Sequence, residues 1–164
     1  MLDVPVLLSR KSDGDLSSMW GNAIPKAAGG SEEAIRRIVQ IEDEWAKRAE
    51  TLPAGNAYDD PLPEKGMLKS LGYCVGNQGL PQERRQLIIK YAVESRSLPP
   101  VQSKAYVREW GKARSDKRFR KIRAFLTTLI DRNAGNRPFA KAVSEWAEDL
   151  KFLAHLWSES SRKF

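Results

Sequence analysis

The densest chemistry in this chain is cationic. Within residues 104–123, Lys104, Arg108, Lys112, Arg114, Lys117, Arg118, Arg120, Lys121 and Arg123 stand against only two acids, Glu109 and Asp116. Side chains of these types neutralise nucleic-acid phosphates, and each neutralised phosphate releases condensed counterions. An acidic protein surface is the other anionic partner such a segment fits. The net charge of +7 over 164 residues conceals the imbalance. Residues 1–82 carry 9 basic and 12 acidic side chains and residues 83–164 carry 19 and 9, so the halves stand at −3 and +10.

Positioning these cations requires a helix. Ser115 is a capping residue for one, because its hydroxyl can accept a free first-turn amide. With Phe119 set at 0° and an advance of about 100° per residue, Phe119, Ile122, Phe125, Leu126, Leu129 and Ile130 fall between about 240° and 20°. Lys117, Arg120 and Lys121 fall on the opposite side, near 160°, 100° and 200°. The expected contacts are therefore Arg114, Lys117, Arg120 and Lys121, with Lys112, Arg118 and Arg123 flanking them. Tyr106, Trp110 and Phe119 lie close enough in sequence to stack on bases, although the helical spacing of Trp110 and Phe119 also suits a core. An intramolecular alternative is that Glu42-Asp43-Glu44 or Asp59-Asp60 of the acidic half covers part of the basic face.

Arg84 and Arg85 are a second cationic candidate. They open a segment Pro81–Arg96 that would be the recognition helix of a helix-turn-helix, although the turn before it is longer than the usual three or four residues. That turn holds Gly72, Gly76 and Gly79. Their spacing is not that of a phosphate-binding loop, with no G-x4-G-K-[ST] and no preceding strand, so a helix C-cap and turn is the better account.

Catalytic chemistry has little material. One cysteine excludes disulfide frameworks and multi-cysteine metal sites, and one histidine excludes His-pair metal centres. His155 is expected on an exposed helix face, and Leu150 stands where an R-x4-H ribonuclease would need arginine. Asp59, Asp60, Glu64 and Lys65 resemble a PD-(D/E)xK set without its strands, and Cys74 between Tyr73 and Val75 reads as a small buried hydrophobe. No catalytic residue, metal ligand or cofactor is expected.

The supporting elements are helical. Residues 1–30 show no sustained period and read as an irregular arm with a short strand at Val4–Leu8, ahead of a helical domain over 31–164. Ser31 with Glu32 and Glu33 starts a helix whose apolar face is Ile35, Ile38, Ile41, Trp45, Ala49 and Leu52. A loop over 53–63 with three prolines separates it from the rest. Short helices follow around Lys65–Leu71, from Pro81 and over Ser103–Trp110; the last, opened by Pro138, carries Phe139, Val143, Trp146, Leu150, Leu153 and Trp157. The expectation is an all-α compact bundle of about five or six helices. With no 18-residue apolar run and no signal-peptide pattern, a cytoplasmic, membrane-free location is expected.

Four groups of residues carry a resemblance: Leu71-Gly72-Tyr73 with Val75-Gly76, Arg84-Arg85-x-x-Ile88, Tyr106-x-x-Glu109-Trp110-Gly111, and Trp146-x-x-Asp149-Leu150. Together they resemble a helical segment that recurs in bacterial proteins, over about residues 66–157. The resemblance implies bacterial origin and a modular helical domain, and brings no activity or binding site. The expected function is a non-enzymatic nucleic-acid-binding module or subunit, largely indifferent to sequence. The alternative is a helical adaptor or small subunit that binds an acidic protein in a larger bacterial antiviral or DNA-processing complex.

Overall fold

The computed structural model describes residues 8–56 and 58–162. Among them are seven α-helices and no strand: α1 Asp13–Ala28, α2 Glu32–Glu50, α3 Met67–Ser70, α4 Gln82–Glu94, α5 Lys104–Glu109, α6 Asp116–Asn133 and α7 Ala140–Arg162. A 3-10 turn, Arg137–Phe139, leads into α7. α1 pairs with α2 and α6 with α7, while α4 packs against both α1 and α7 and joins the two pairs.

The N-terminal segment departs from the expected irregular arm, because Asp13–Ala28 is a helix. Ser12 caps it by accepting from the Asp15 amide at 3.0 Å, and Leu16, Trp20, Ala23, Ile24 and Ala27 form its buried face. Gly14, Gly21 and Pro25 disguise that periodicity. Of the expected strand Val4–Leu8, residues 4–7 lie outside the described residues, and Leu8 is a buried core residue in a helical turn.

Pro25 creates a local deficit that another helix repairs. Proline has no N–H, so the carbonyl four residues earlier loses its helical partner. That carbonyl belongs to Gly21, and Arg84 Nη2 on α4 donates to it at 2.9 Å. A candidate phosphate contact is therefore a clamp between α4 and α1.

α2 starts at Ser31, which accepts from the Ala34 amide at 3.3 Å. Ile38, Ile41 and Trp45 are buried as expected, but Ile35 is exposed while Ala34, Glu42 and Glu44 are buried, so the buried face is not the purely apolar one the spacing predicts. Tilted Trp20 and Trp45 rings, 6.0 Å between centroids, cement α1 to α2. Phe139, expected on the buried face of the last helix, is 44% exposed because it sits in the 3-10 turn before that helix begins.

The core contains a charged knot. Arg85 Nε donates to Asp149 Oδ2 (2.8 Å) and Nη2 to Asp149 Oδ1 (3.3 Å). Its Nη1 donates to Glu145 Oε2 (2.6 Å) and the Leu80 carbonyl (2.9 Å), and Nη2 also donates to Glu148 Oε2 (3.2 Å). The buried Tyr73 hydroxyl donates to Asp149 Oδ2 at 2.6 Å; burial, with that bond, pushes its pKa far up. α4, α7 and the glycine-rich turn thus meet at one guanidinium.

The turn itself is tight. Leu80 N donates to the Cys74 carbonyl at 2.9 Å, and a Cβ on Gly79 would come within 2.4 Å of the Val75 backbone, so only glycine fits there. The Gly76 amide, which a phosphate reading would leave free, donates to Glu145 Oε1 at 2.8 Å. Cys74 is exposed rather than buried, since the turn directs Tyr73 inward and its neighbour out.

The Pro25 and Arg84 pairing predicts non-additive stabilities. In a Pro25→Ala background the restored amide takes over the Gly21 carbonyl, so Arg84→Ala should cost about 1 kcal/mol less there than in the parent. Urea unfolding of the four proteins measures this coupling, and additive costs would contradict it.

Candidate nucleic-acid interface

The cationic segment is built around one arginine that faces inward. Ser115 accepts from the Arg118 amide at 3.1 Å and so starts α6, and the Arg114 amide donates to the Val93 carbonyl at 2.8 Å, docking the preceding turn on α4. Arg118 Nε donates to the Trp110 carbonyl (2.7 Å) and Nη2 to that of Gly111 (2.7 Å). Nη1 donates to the carbonyls of Ala92 (2.6 Å) and Ser95 (3.0 Å). These acceptors lie at the C-terminal ends of α5 and α4, where carbonyls lack helical partners and a positive charge is favoured. Burial lowers the Arg118 pKa to about 10, which leaves it cationic at neutral pH.

The structure therefore divides the nine predicted contacts. Arg85 and Arg118, 1% and 2% exposed, are interior and offer nothing to a phosphate. Arg84 is half-buried on the Gly21 carbonyl. Lys121 is half-buried as well, its Nζ 3.1 Å from Glu109 Oε2 and 5.7 Å above the Trp110 ring. Lys112, Arg114, Lys117, Arg120 and Arg123 are exposed. Of these, Arg114 reaches toward Glu94 at 4.0 Å while remaining 63% exposed, a geometry that contributes little attraction in water.

The burial of Arg85 also removes the helix-turn-helix reading. α3 is only four residues long, and the two arginines at the entering end of α4 are engaged by the protein itself, Arg84 on the Gly21 carbonyl and Arg85 in the buried knot.

Of the acids considered for covering this surface, Glu42 lies near the interior Arg118 and is linked to it through Ser95, while the partners of Asp43, Glu44, Asp59 and Asp60 lie elsewhere. Glu42 accepts from the Ser95 hydroxyl at 2.8 Å, Asp43 from Arg96 at 3.4 Å, and Glu44 from Arg48 at 3.0 Å. Desolvation raises the Glu42 pKa. Asp59 and Asp60 accept from the side-chain and backbone nitrogens of Asn56, at 2.8 and 2.7 Å, shaping a turn. Trp20 is fully buried, and Trp157 packs edge-on against Phe119 with centroids 4.4 Å apart.

Beside the exposed cations runs a groove of about 570 Å³ between the loop Leu62–Gly66, α5 and α6. Tyr106, Trp110, Phe125 and Leu129 form its apolar wall, and Lys69, Lys121 and Arg132 border it together with Glu64. Upstream of that loop the chain is tied to α5: the Lys104 and Ala105 amides donate to the carbonyls of Pro53 and Ala54, and Gly55 approaches Ser103 so closely that a Cβ would overlap it. Tyr106 accepts from the Met67 amide at 3.0 Å, which joins the wall to α3.

Arg132 and the groove escaped the sequence reading. The helical angle carried the signal, since Arg132 falls near 220°, beside Lys121 near 200°.

Remaining reactive groups are dispersed. His155 is exposed and 3.1 Å from Glu159 one turn on, and the Cys74 thiol faces the carbonyls of its own turn at 3.8 and 3.9 Å. Among the described residues, no three His, Cys, Asp or Glu side chains gather where they would hold a metal ion. Nor, among them, is any helix long and apolar enough to cross a membrane. Comparison with protein-family models, curated proteins and solved structures returned no match.

Interior and exposed cations should separate cleanly on mutation. Arg118→Lys replaces a five-donor fork with three donors that cannot span four carbonyls, and should cost about 2 to 3 kcal/mol of unfolding free energy. Lys117→Ala should stay within about 0.5 kcal/mol of the parent. Chemical denaturation of both variants checks the contrast, and equal effects would refute it.

Proposed function

We propose that this chain is a non-enzymatic, cytoplasmic nucleic-acid-binding module that holds phosphates on Lys112, Arg114, Lys117, Arg120 and Arg123. The supporting observation is their exposure on a segment whose opposite side is locked into the core by Arg118, Phe119 and Ile122. Asp116 is the one acid among residues 112–123. Helix α6 holds Lys117, Arg120 and Arg123 three residues apart, so the backbone that carries them needs no ordering on binding. Phosphate contacts position a protein without reading bases, hence the sequence indifference.

Salt dependence tests this directly. Fluorescence anisotropy with labelled DNA and RNA, single and double stranded, should show binding at low salt that weakens steeply as salt rises. Each lost phosphate contact flattens the slope of log K against log salt by about 0.9 on a duplex or 0.7 on a single strand. Replacing Lys117, Arg120 and Arg123 together with alanine should therefore flatten it by about 2 to 3. Absence of binding to all four polymers at low salt overturns the proposal. Tight binding of polyglutamate in their place favours the acidic-protein alternative.

A further inference from the structure

The groove beside α6 distinguishes which form of nucleic acid suits this surface. Resting on the phosphate-binding reading above, we infer that the chain prefers single-stranded nucleic acid. An unpaired base enters the groove between the loop Leu62–Gly66, α5 and α6, and the adjoining phosphates lie on Lys121, Arg132 and Lys117.

Three observations lead there. The groove wall is apolar and aromatic: Tyr106 and Phe125 are half-buried, each ring packed on Trp110 with centroids 6.3 and 6.5 Å away, so the rings are fixed in place. A flat base gains stacking energy on such rings whatever its identity. In a duplex the base faces are occupied by their neighbours, so only an unpaired strand can use this wall.

The rim supplies the matching charge. Lys69, Lys121 and Arg132 border the groove against the single acid Glu64. Lys121 gives one hydrogen bond to Glu109, and an ammonium group has three donors, so it retains capacity for a phosphate. Continuity supplies the path: Lys117 lies one turn before Lys121 on the same helix, so a strand leaving the groove meets the exposed cations of α6. The volume of about 570 Å³ is that of an ordinary small-ligand cleft, large enough for a nucleotide.

Two substitutions isolate the groove from the charges. Ala124 is exposed on the groove wall, and Ala124→Leu fills the space without adding a ring or a charge. Phe125→Leu keeps apolar bulk and removes one stacking surface. Matched single-stranded and duplex oligonucleotides are titrated against the parent and both variants, with unfolding curves confirming that the variants fold.

The parent should bind the single strand about tenfold or more tightly than the duplex, and each variant should lose about tenfold on the single strand with duplex binding unchanged. An oligonucleotide carrying 5-iodouridine should photocrosslink to Tyr106 or Phe125, identified by mass spectrometry. Equal affinity for the two forms with normal salt dependence overturns the groove inference and leaves phosphate binding intact. Crosslinks confined to residues outside the groove also overturn it. No binding to either form removes the reading beneath it.

Discussion

Everything in this bundle leans on the buried ion pair between Arg85 and Asp149. A guanidinium has five N–H groups, and five hydrogen bonds are present, to Asp149 twice, Glu145, Glu148 and the Leu80 carbonyl. Burying an ion pair is costly unless its geometry is good and the remaining polar atoms are satisfied. Here both conditions are met. Asp149 accepts a further bond from Tyr73, and Glu145 one from the Gly76 amide, so the same knot fixes α4, α7 and the glycine-rich turn. Apolar packing allows helices to slide or rotate, whereas a fully bonded guanidinium allows one arrangement.

The same device recurs at two other places. Arg118 gathers the loose carbonyls at the ends of α4 and α5, and Arg84 repairs the gap that Pro25 leaves in α1. Arg85 and Arg118 suit their places because a planar, permanently charged fork reaches several acceptors from one interior position, and Arg84 because its long side chain reaches across to α1. These three arginines hold α4 against α1, α5, α6 and α7. Their positive charge is engaged by acceptors of the protein itself, and the exposed lysines and arginines are held on the scaffold these three arginines brace.

Residues from all four sequence groups, around Tyr73, Arg85, Trp110 and Asp149, serve the fold. Tyr73, Gly76, Arg85 and Asp149 belong to one knot. Tyr106 tethers α5 to α3, Trp110 and Gly111 offer carbonyls to Arg118, and Trp146 is buried in α7. The pattern is that of a fold, with the exposed cations of residues 112–123 lying between the last two groups.

The amino-acid order was enough to establish the all-helical class, the caps at Ser31 and Ser115, the buried face of α6 around Phe119, Ile122 and Leu126, and the concentration of charge in residues 104–123. Those features are local: a capping hydroxyl bonds three residues ahead, and an apolar stripe follows from a period of 3.6. Helix α1 was also locally encoded, through Ser12 and its apolar spacing, but Gly21 and Pro25 masked it. Only the tertiary structure decided which cations are free. Arg85 and Arg118 have the same side chain and the same helical setting as Arg120. What separates them is the placement of Asp149 and of the Ala92, Ser95, Trp110 and Gly111 carbonyls by other segments. An arginine's charge is set by its chemistry, but its availability depends on acceptors that only folding brings within reach.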